Sequence, residues 1–190
     1  MAAKSGERKL QILQTLAEML QHPKGERITT AALAARLEVS EAALYRHFAS
    51  KAQMFDGLIE FIEQTLFSRI NKISTEESQG VQQLESMLSL LLGFASKNPG
   101  MVRVLIGDVL VNEDDRLQER INRLLDRIEA TLKQALRFAA SQNEDTRGAD
   151  AAAQANTMMC FVLGRWHQFA KSGFKRDPLA FWPQQRPLLI

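Results

Sequence analysis

Apolar residues recur along this chain at three- and four-residue spacing, and no segment sustains the two-residue alternation of a half-buried strand. Over 7–20, Leu10, Leu13, Leu16, Ala17 and Leu20 mark one helical face, which His22-Pro23-Lys24-Gly25 brings to a stop. Thr29 or Thr30 is placed to cap a short alanine-rich helix ending near Leu37. A tight turn at Glu38-Val39-Ser40 leads into a second short helix over 41–48, with Ser40 as its cap. Ser50-Lys51-Ala52-Gln53 has the form of a capping box. The long helix it opens carries the stripe Phe55, Leu58, Ile59, Ile62, Leu66, Ile70 and Ile73. Further helices are predicted over 81–97, 101–111, 113–140 and 149–172, broken by the polar stretch 74–80, by Asn98-Pro99-Gly100 and by the polar stretch 141–148. Three of the five prolines, Pro178, Pro183 and Pro187, follow Gly173, so any helix there is short. The chain is predicted to be all-α, with residues 1–53 as a small head and 54–190 as a helical body.

Composition narrows the class. The 190 residues are 45% hydrophobic and 24% charged, as in an ordinary globular protein rather than a disordered or fibrous one. The longest apolar run, Met87 to Ala95, is interrupted by Ser89 and Gly93. It falls short of the roughly 18–20 residues of a membrane span, so no membrane insertion is expected. The single cysteine, Cys160, excludes an internal disulfide and a multi-cysteine metal site. With no signal-like N-terminus, a cytoplasmic location is expected. The net charge of +2 says little until it is divided: 1–55 holds eight basic against five acidic residues, an excess of +3, which leaves −1 for the rest. The basic excess therefore coincides with the head.

Two short helices joined by a three-residue turn make a helix-turn-helix if they share a core. Leu33, Leu37, Val39, Leu44 and Phe48 supply one, and the small residues Ala34, Ala35, Ala42 and Ala43 let the helices approach closely. The other face of the second helix is then free to enter a major groove of DNA. Thr29 and Thr30 place hydroxyls and free backbone N–H groups at a helix start, where phosphate can bind. Tyr45, His47 and Lys51 reach toward the sugar-phosphate backbone. Arg46 suits phosphate or guanine O6 and N7. Glu41 suits cytosine N4 or its own helix start. With Ser40 and Ala43 these form the candidate DNA-binding set. By pattern alone, a simple packed helical pair with solvated surface cations is an equal reading.

A resemblance separates the two readings. Ile28-Thr29-Thr30-Ala31-Ala32-Leu33-Ala34, Val39-Ser40-Glu41-Ala42-Ala43-Leu44-Tyr45-Arg46-His47-Phe48 and Ser50-Lys51 resemble the DNA-binding signature of TetR-family regulators. The similarity to the nucleoid occlusion branch of that family continues through 54–63, Ser68-Arg69-Ile70-Asn71, Leu90-Leu91-Leu92-Gly93-Phe94, Lys97-Asn98-Pro99-Gly100 and 115–122. It weakens after about residue 140 and returns at Ser172-Gly173-Phe174-Lys175. The resemblance implies a TetR-like fold, a helix-turn-helix domain followed by a helical dimerisation domain. It further implies a nucleoid-associated homodimer on palindromic double-stranded DNA sites that antagonises FtsZ, the tubulin-like division protein. It implies FtsZ contacts at Phe61, Arg69, Leu90, Gly93, Lys97 and Asn98. Lys97 stands where relatives usually carry arginine; it keeps the charge and loses the planar fork. The alternative within the family is a repressor released from its operator by a small ligand held in the body.

The residues of the body add their own hints. At about 100° per residue, Phe61 lies roughly 130° from the centre of the long stripe, so it packs on a neighbouring helix or awaits a partner. Arg69 falls near the flank of that stripe, where an ordinary solvated or capping arginine is the alternative to a partner contact. Gly93 inside a helix costs about 1 kcal/mol against alanine, which close helix packing or a bound peptide would explain. Arg116, Arg120, Arg123 and Arg127 are expected on a solvated face; the resemblance implies a four-helix dimer interface built from the last long helices, which Met158, Met159, Phe161, Val162, Trp166 and Phe169 suit. His22, His47 and His167 fall in a breaker, a recognition helix and an interface helix, and no phosphate loop, zinc motif or nucleophile elbow is present. No enzyme activity, metal or cofactor is expected.

Overall fold

The computed structural model describes residues 2–22, 28–111, 113–144 and 150–190, with side chains from Gly6 onward. Pro23, Lys24 and Gly25 of the expected first breaker, 145–148 of the expected polar loop and Ala149 after it lie outside the described residues. Among the described residues there are nine helices and no strand: α1 (Ala2–Met19), α2 (Thr30–Arg36), α3 (Glu41–Tyr45), α4 (Lys51–Glu76), α5 (Gly80–Lys97), α6 (Pro99–Leu105), α7 (Asp115–Ser141), α8 (Ala151–Lys171) and α9 (Trp182–Leu189). The first three form the head. α4 leaves it and joins α5, α7 and α8 in the body, and α6 turns back to touch α1.

The caps act as the sequence predicts. Thr29, Ser40 and Ser50 accept hydrogen bonds from the backbone N–H groups of Ala32, Ala43 and Gln53. The reciprocal bond of the box is shifted by one residue, since the Gln53 side chain accepts from the N–H of Ala49 at 2.8 Å. Between α2 and α3 the chain closes a Schellman turn: Glu38 sits at φ 55, its N–H donates to the Ala35 carbonyl, and the Val39 N–H donates to the Ala34 carbonyl. A left-handed residue there reverses the chain in three residues and fixes the angle between the two helices.

Several boundaries and faces differ from expectation for identifiable reasons. In α1 the buried face is Ile12, Leu16, Ala17 and Leu20, while Leu10 turns outward. The helix packs on α2, α4 and α6 at once, and the face centred on Leu16 meets all three. α6 stops at Leu105 instead of running to Val111, because Gly107 adopts φ 74. A side chain at Gly107 would also meet Gln118 Oε1 at 2.4 Å. At the other end of α6, Gly100 lies so close to α1 that a Cβ would sit 2.0 Å from the Ala17 carbonyl oxygen.

The arginines expected on a solvated face of α7 do not all face solvent. Arg120 bridges Asp56 and Glu63 of α4, with N–O distances of 2.5 Å to each. Partial burial opposes its charge, yet the bonds it donates to Glu63 and Asp56 outweigh that and raise its pKa further. Arg127 stacks over the Phe67 ring at 3.7 Å. The helix that carries the head is thus clasped to the body by two arginines whose partners lie on another element.

The residues of α8 expected at a dimer interface serve the chain's own core instead. Met158, Met159, Val162, Trp166 and Phe169 are buried, and the Trp166 indole donates to the Leu91 carbonyl at 3.1 Å. Phe161 stacks at a tilt on Trp182 of α9. The outward face of α8 is formed by Ala153, Asn156, Thr157, Cys160, Gly164 and His167. Asp108 joins three elements, binding Arg103 of α6 at 3.0 Å and Lys171 at the end of α8, while Arg103 reaches the Leu20 carbonyl beyond α1. Burial alone would raise the Asp108 pKa, but the bonds from Lys171 and Arg103 prevail and lower it.

A reading head and an open cleft as candidate functional sites

In the head, Leu33, Ala34 and Leu44 are buried and Leu37 and Val39 half-buried, so the shared core expected between α2 and α3 is present. On the outer side the polar residues form a chain of hydrogen bonds. The Thr30 hydroxyl donates to Glu41 Oε2 at 2.6 Å, and the Tyr45 hydroxyl lies 3.4 Å from Thr30 Oγ1. Glu41 therefore neither caps its own helix nor swings free: its carboxylate is held across the turn, with its remaining lone pairs available to accept. Orientation by Thr30 makes it a fixed acceptor on the outer side, the geometry that a cytosine N4 donor requires. Tyr45 is 45% exposed.

Thr29 and Ser40 use their oxygens as caps, which leaves their hydroxyl protons to donate to a phosphate. Arg46 is exposed and His47 half-buried, while Ala43 is half-buried with its N–H satisfied by Ser40. Lys51 is the member of the set that does not join the others. Its ammonium pairs with Glu113, ahead of α7, and lies 5.6 Å over the Phe55 ring. The expected reach to the DNA backbone requires it to leave that pair. No local pattern signals this, since Glu113 is 62 residues away.

A second site lies in the body. A cleft of about 680 Å³ opens between α4 and α5. Phe61, Arg69, Leu90, Gly93, Lys97 and Asn98 all line it, together with Thr65, Glu85, Ser86, Ser89 and Phe94. The five additional residues follow from helical spacing once the first six are placed: Thr65 is midway between Phe61 and Arg69, and Ser86, Leu90, Gly93 and Lys97 step along one face of α5. Phe61 satisfies both readings of its off-stripe position, packing partly on the core and facing the cleft. Asn98 closes the end of α5 by donating to the Phe94 carbonyl at 2.8 Å.

Gly93 distinguishes the two explanations of a glycine inside a helix. A Cβ built there would meet only Leu179, at 3.9 Å, so no helix packs against it. The groove it leaves is open to solvent. The cations are also open: the side chains of Arg69 and Lys97 make no hydrogen bond or ion pair with another described residue, and both residues are exposed. The cleft thus combines an apolar floor of Phe61, Leu90 and Phe94 with two uncommitted positive charges, which suits a peptide carrying apolar and acidic residues.

No group of three or more His, Cys, Asp or Glu side chains among the described residues is arranged to hold a metal. No described helix is long and apolar enough to cross a membrane.

A helix-turn-helix head with exposed polar groups, set on an all-helical body, defines a DNA-binding regulator. Residues 12–58 match the family described as bacterial regulatory proteins, tetR family, and residues 78–190 match the SlmA-like type of tetracyclin repressor-like C-terminal domain. The chain belongs to the TetR family, in its SlmA-like nucleoid occlusion branch. It is 53% identical to the nucleoid occlusion factor SlmA of Alteromonas mediterranea over 184 residues, 97% of this chain and 94% of that one. It is 48% identical to the SlmA of a Marinomonas species over 189 residues, 100% and 96% of the two chains. Among solved structures, the MbdR regulator from Azoarcus sp. CIB matches with a TM-score of 0.80 at 16% identity, covering 97% of this chain and 96% of that one. FadR from Bacillus subtilis, solved with stearoyl-CoA, matches at 0.79 and 16%, over 95% and 97%. These two share the fold alone. The protein is a DNA-binding nucleoid occlusion factor and not an enzyme.

Proposed function

We propose that the protein, as a nucleoid-associated homodimer on palindromic chromosomal sites, captures FtsZ in the cleft between α4 and α5 and so antagonises its assembly. The observation that carries this reading is that Phe61, Arg69, Leu90, Gly93, Lys97 and Asn98, from two different helices and the end of one, line one open groove. Dimerisation through the outward faces of α7 and α8 places two heads on one side, so that both α3 helices enter successive turns of the groove. Thr29, Thr30, Ser40, Tyr45, His47 and Lys51 serve phosphate contacts, and Glu41, Ala43 and Arg46 face the bases.

One helix serves both tasks. α4 begins at the reading head and carries Phe61 and Arg69 about three and five turns further on. Asn98, at the cleft end, runs directly into α6, whose Gly100 abuts α1. DNA that repositions the head therefore acts on both walls of the cleft. The alternative is a ligand held in the body, where Leu88, Leu91, Leu132 and Trp166 are fully buried and so offer it no exposed lining.

The test is sedimentation of GTP-assembled FtsZ with the protein present, with and without its operator duplex. Less polymer is expected, and a larger reduction when the operator is bound. Unchanged polymer in both conditions would refute the proposal.

A further inference from the structure

The proline-rich C-terminal segment runs along the edge of the cleft. Three residues of α5 that line the groove, spaced four apart, each meet a residue of this segment. Glu85 pairs with Arg186 at 3.1 Å, Ser89 accepts a hydrogen bond from the Trp182 indole at 2.8 Å, and Gly93 faces Leu179. The indole and Leu179 fix the wall. The ion pair does something different, because Glu85 is the acidic side chain among the cleft's lining residues.

An acidic partner segment entering the cleft would meet Arg69 and Lys97 favourably and Glu85 unfavourably. We propose that Arg186 is a specificity-determining residue of the cleft: it cancels the charge of Glu85 and so turns a mixed groove into a cationic one that admits an acidic peptide. The inference rests on the FtsZ reading above and adds α9 to the binding surface. Its effect is electrostatic, and the two side chains remain partly exposed. It therefore acts at low ionic strength and fades as salt rises.

The experiment is a double-mutant cycle on the full chain bound to its operator, with purified FtsZ as the titrant and anisotropy as the readout. At low ionic strength, Arg186→Gln is expected to weaken FtsZ binding by about two- to fivefold, the range of one partly screened charge pair. Glu85→Gln is expected to bind at least as tightly as wild type. The double variant should return to wild-type affinity, because removing both charges restores the net charge of the wild-type edge. Arg186→Lys keeps the charge and should bind as wild type does, which separates the charge from any effect on the fold of α9. A double variant that binds as weakly as Arg186→Gln alone, or no loss from Arg186→Gln where the wild type binds FtsZ, would overturn the assignment of Arg186 alone. Absence of binding by the wild type would overturn the FtsZ reading and this inference with it.

Discussion

Replacing Gly93 by alanine separates a glycine kept for the fold from one kept for a partner. Glycine in a helix interior is disfavoured against alanine by about 1 kcal/mol, through its greater freedom in the unfolded chain. That gain is realised only if the new methyl group has room. At Gly93 it does: the nearest atom would be Leu179 Cδ1 at 3.9 Å, an ordinary van der Waals contact. At Gly100, where a Cβ would lie 2.0 Å from the Ala17 carbonyl oxygen, it does not. Gly93→Ala should thus stabilise the chain by about 0.5–1 kcal/mol, a shift in Tm of roughly +1 to +4 °C for a protein of this length. Thermal unfolding followed by circular dichroism measures it, at fixed protein concentration because dimerisation contributes to Tm. Operator affinity should not change, whereas FtsZ binding should weaken because the methyl group stands in the groove. A lower Tm for Gly93→Ala would refute the reasoning, since it would mean that something packs on the glycine after all.

Three further outcomes are expected. Asp108→Asn removes the hub between α1, α6 and α8. The carboxyl pKa is lowered in the folded chain, so its contribution is present above the ordinary Asp value and lost as pH falls through the folded one; acid titrations should show wild-type stability dropping below about pH 4 more steeply than the variant's. Arg120→Met leaves Asp56 and Glu63 without their shared cation and should cost about 1–3 kcal/mol in urea unfolding, with FtsZ and operator binding both weakened at temperatures near the lowered Tm. Thr30→Val frees the Glu41 carboxylate and should reduce operator affinity more than Tyr45→Phe, whose bond at 3.4 Å is the weaker of the two; equal losses in a gel-shift series at fixed salt would argue against the ordered network.

What is legible in the sequence, and what is not, follows a physical divide. Local chemistry is legible: Thr29, Ser40 and Ser50 cap where spacing says they should, and the long stripe from Phe55 to Ile70 is buried. The candidate DNA-binding set is almost wholly local, spanning 29–51, and short-range pattern suffices to propose it. Relations across the chain are not legible. Arg120 reads as solvated because Glu63 and Asp56 lie 57 and 64 residues away. Lys51 reads as free for DNA because Glu113 is equally distant. Met158 and Trp166 read as fit for a partner chain, and only the packing of α8 on α5 and α7 shows that they fill their own core. The cleft lies between these extremes: its six expected residues come by resemblance, and helical spacing supplies the rest of the α4 and α5 walls, but not the α9 edge.

The most direct measurement is capture of FtsZ by the operator-bound protein, wild type against Arg69→Asp. Arg69 is exposed and its side chain makes no hydrogen bond or ion pair with another described residue, so reversing its charge should leave the fold and the operator affinity unchanged. The wild type should retain FtsZ on an operator-coated surface, and Arg69→Asp, equally loaded, should not. Equal retention by the two, or retention by neither, would contradict the proposed role of the cleft.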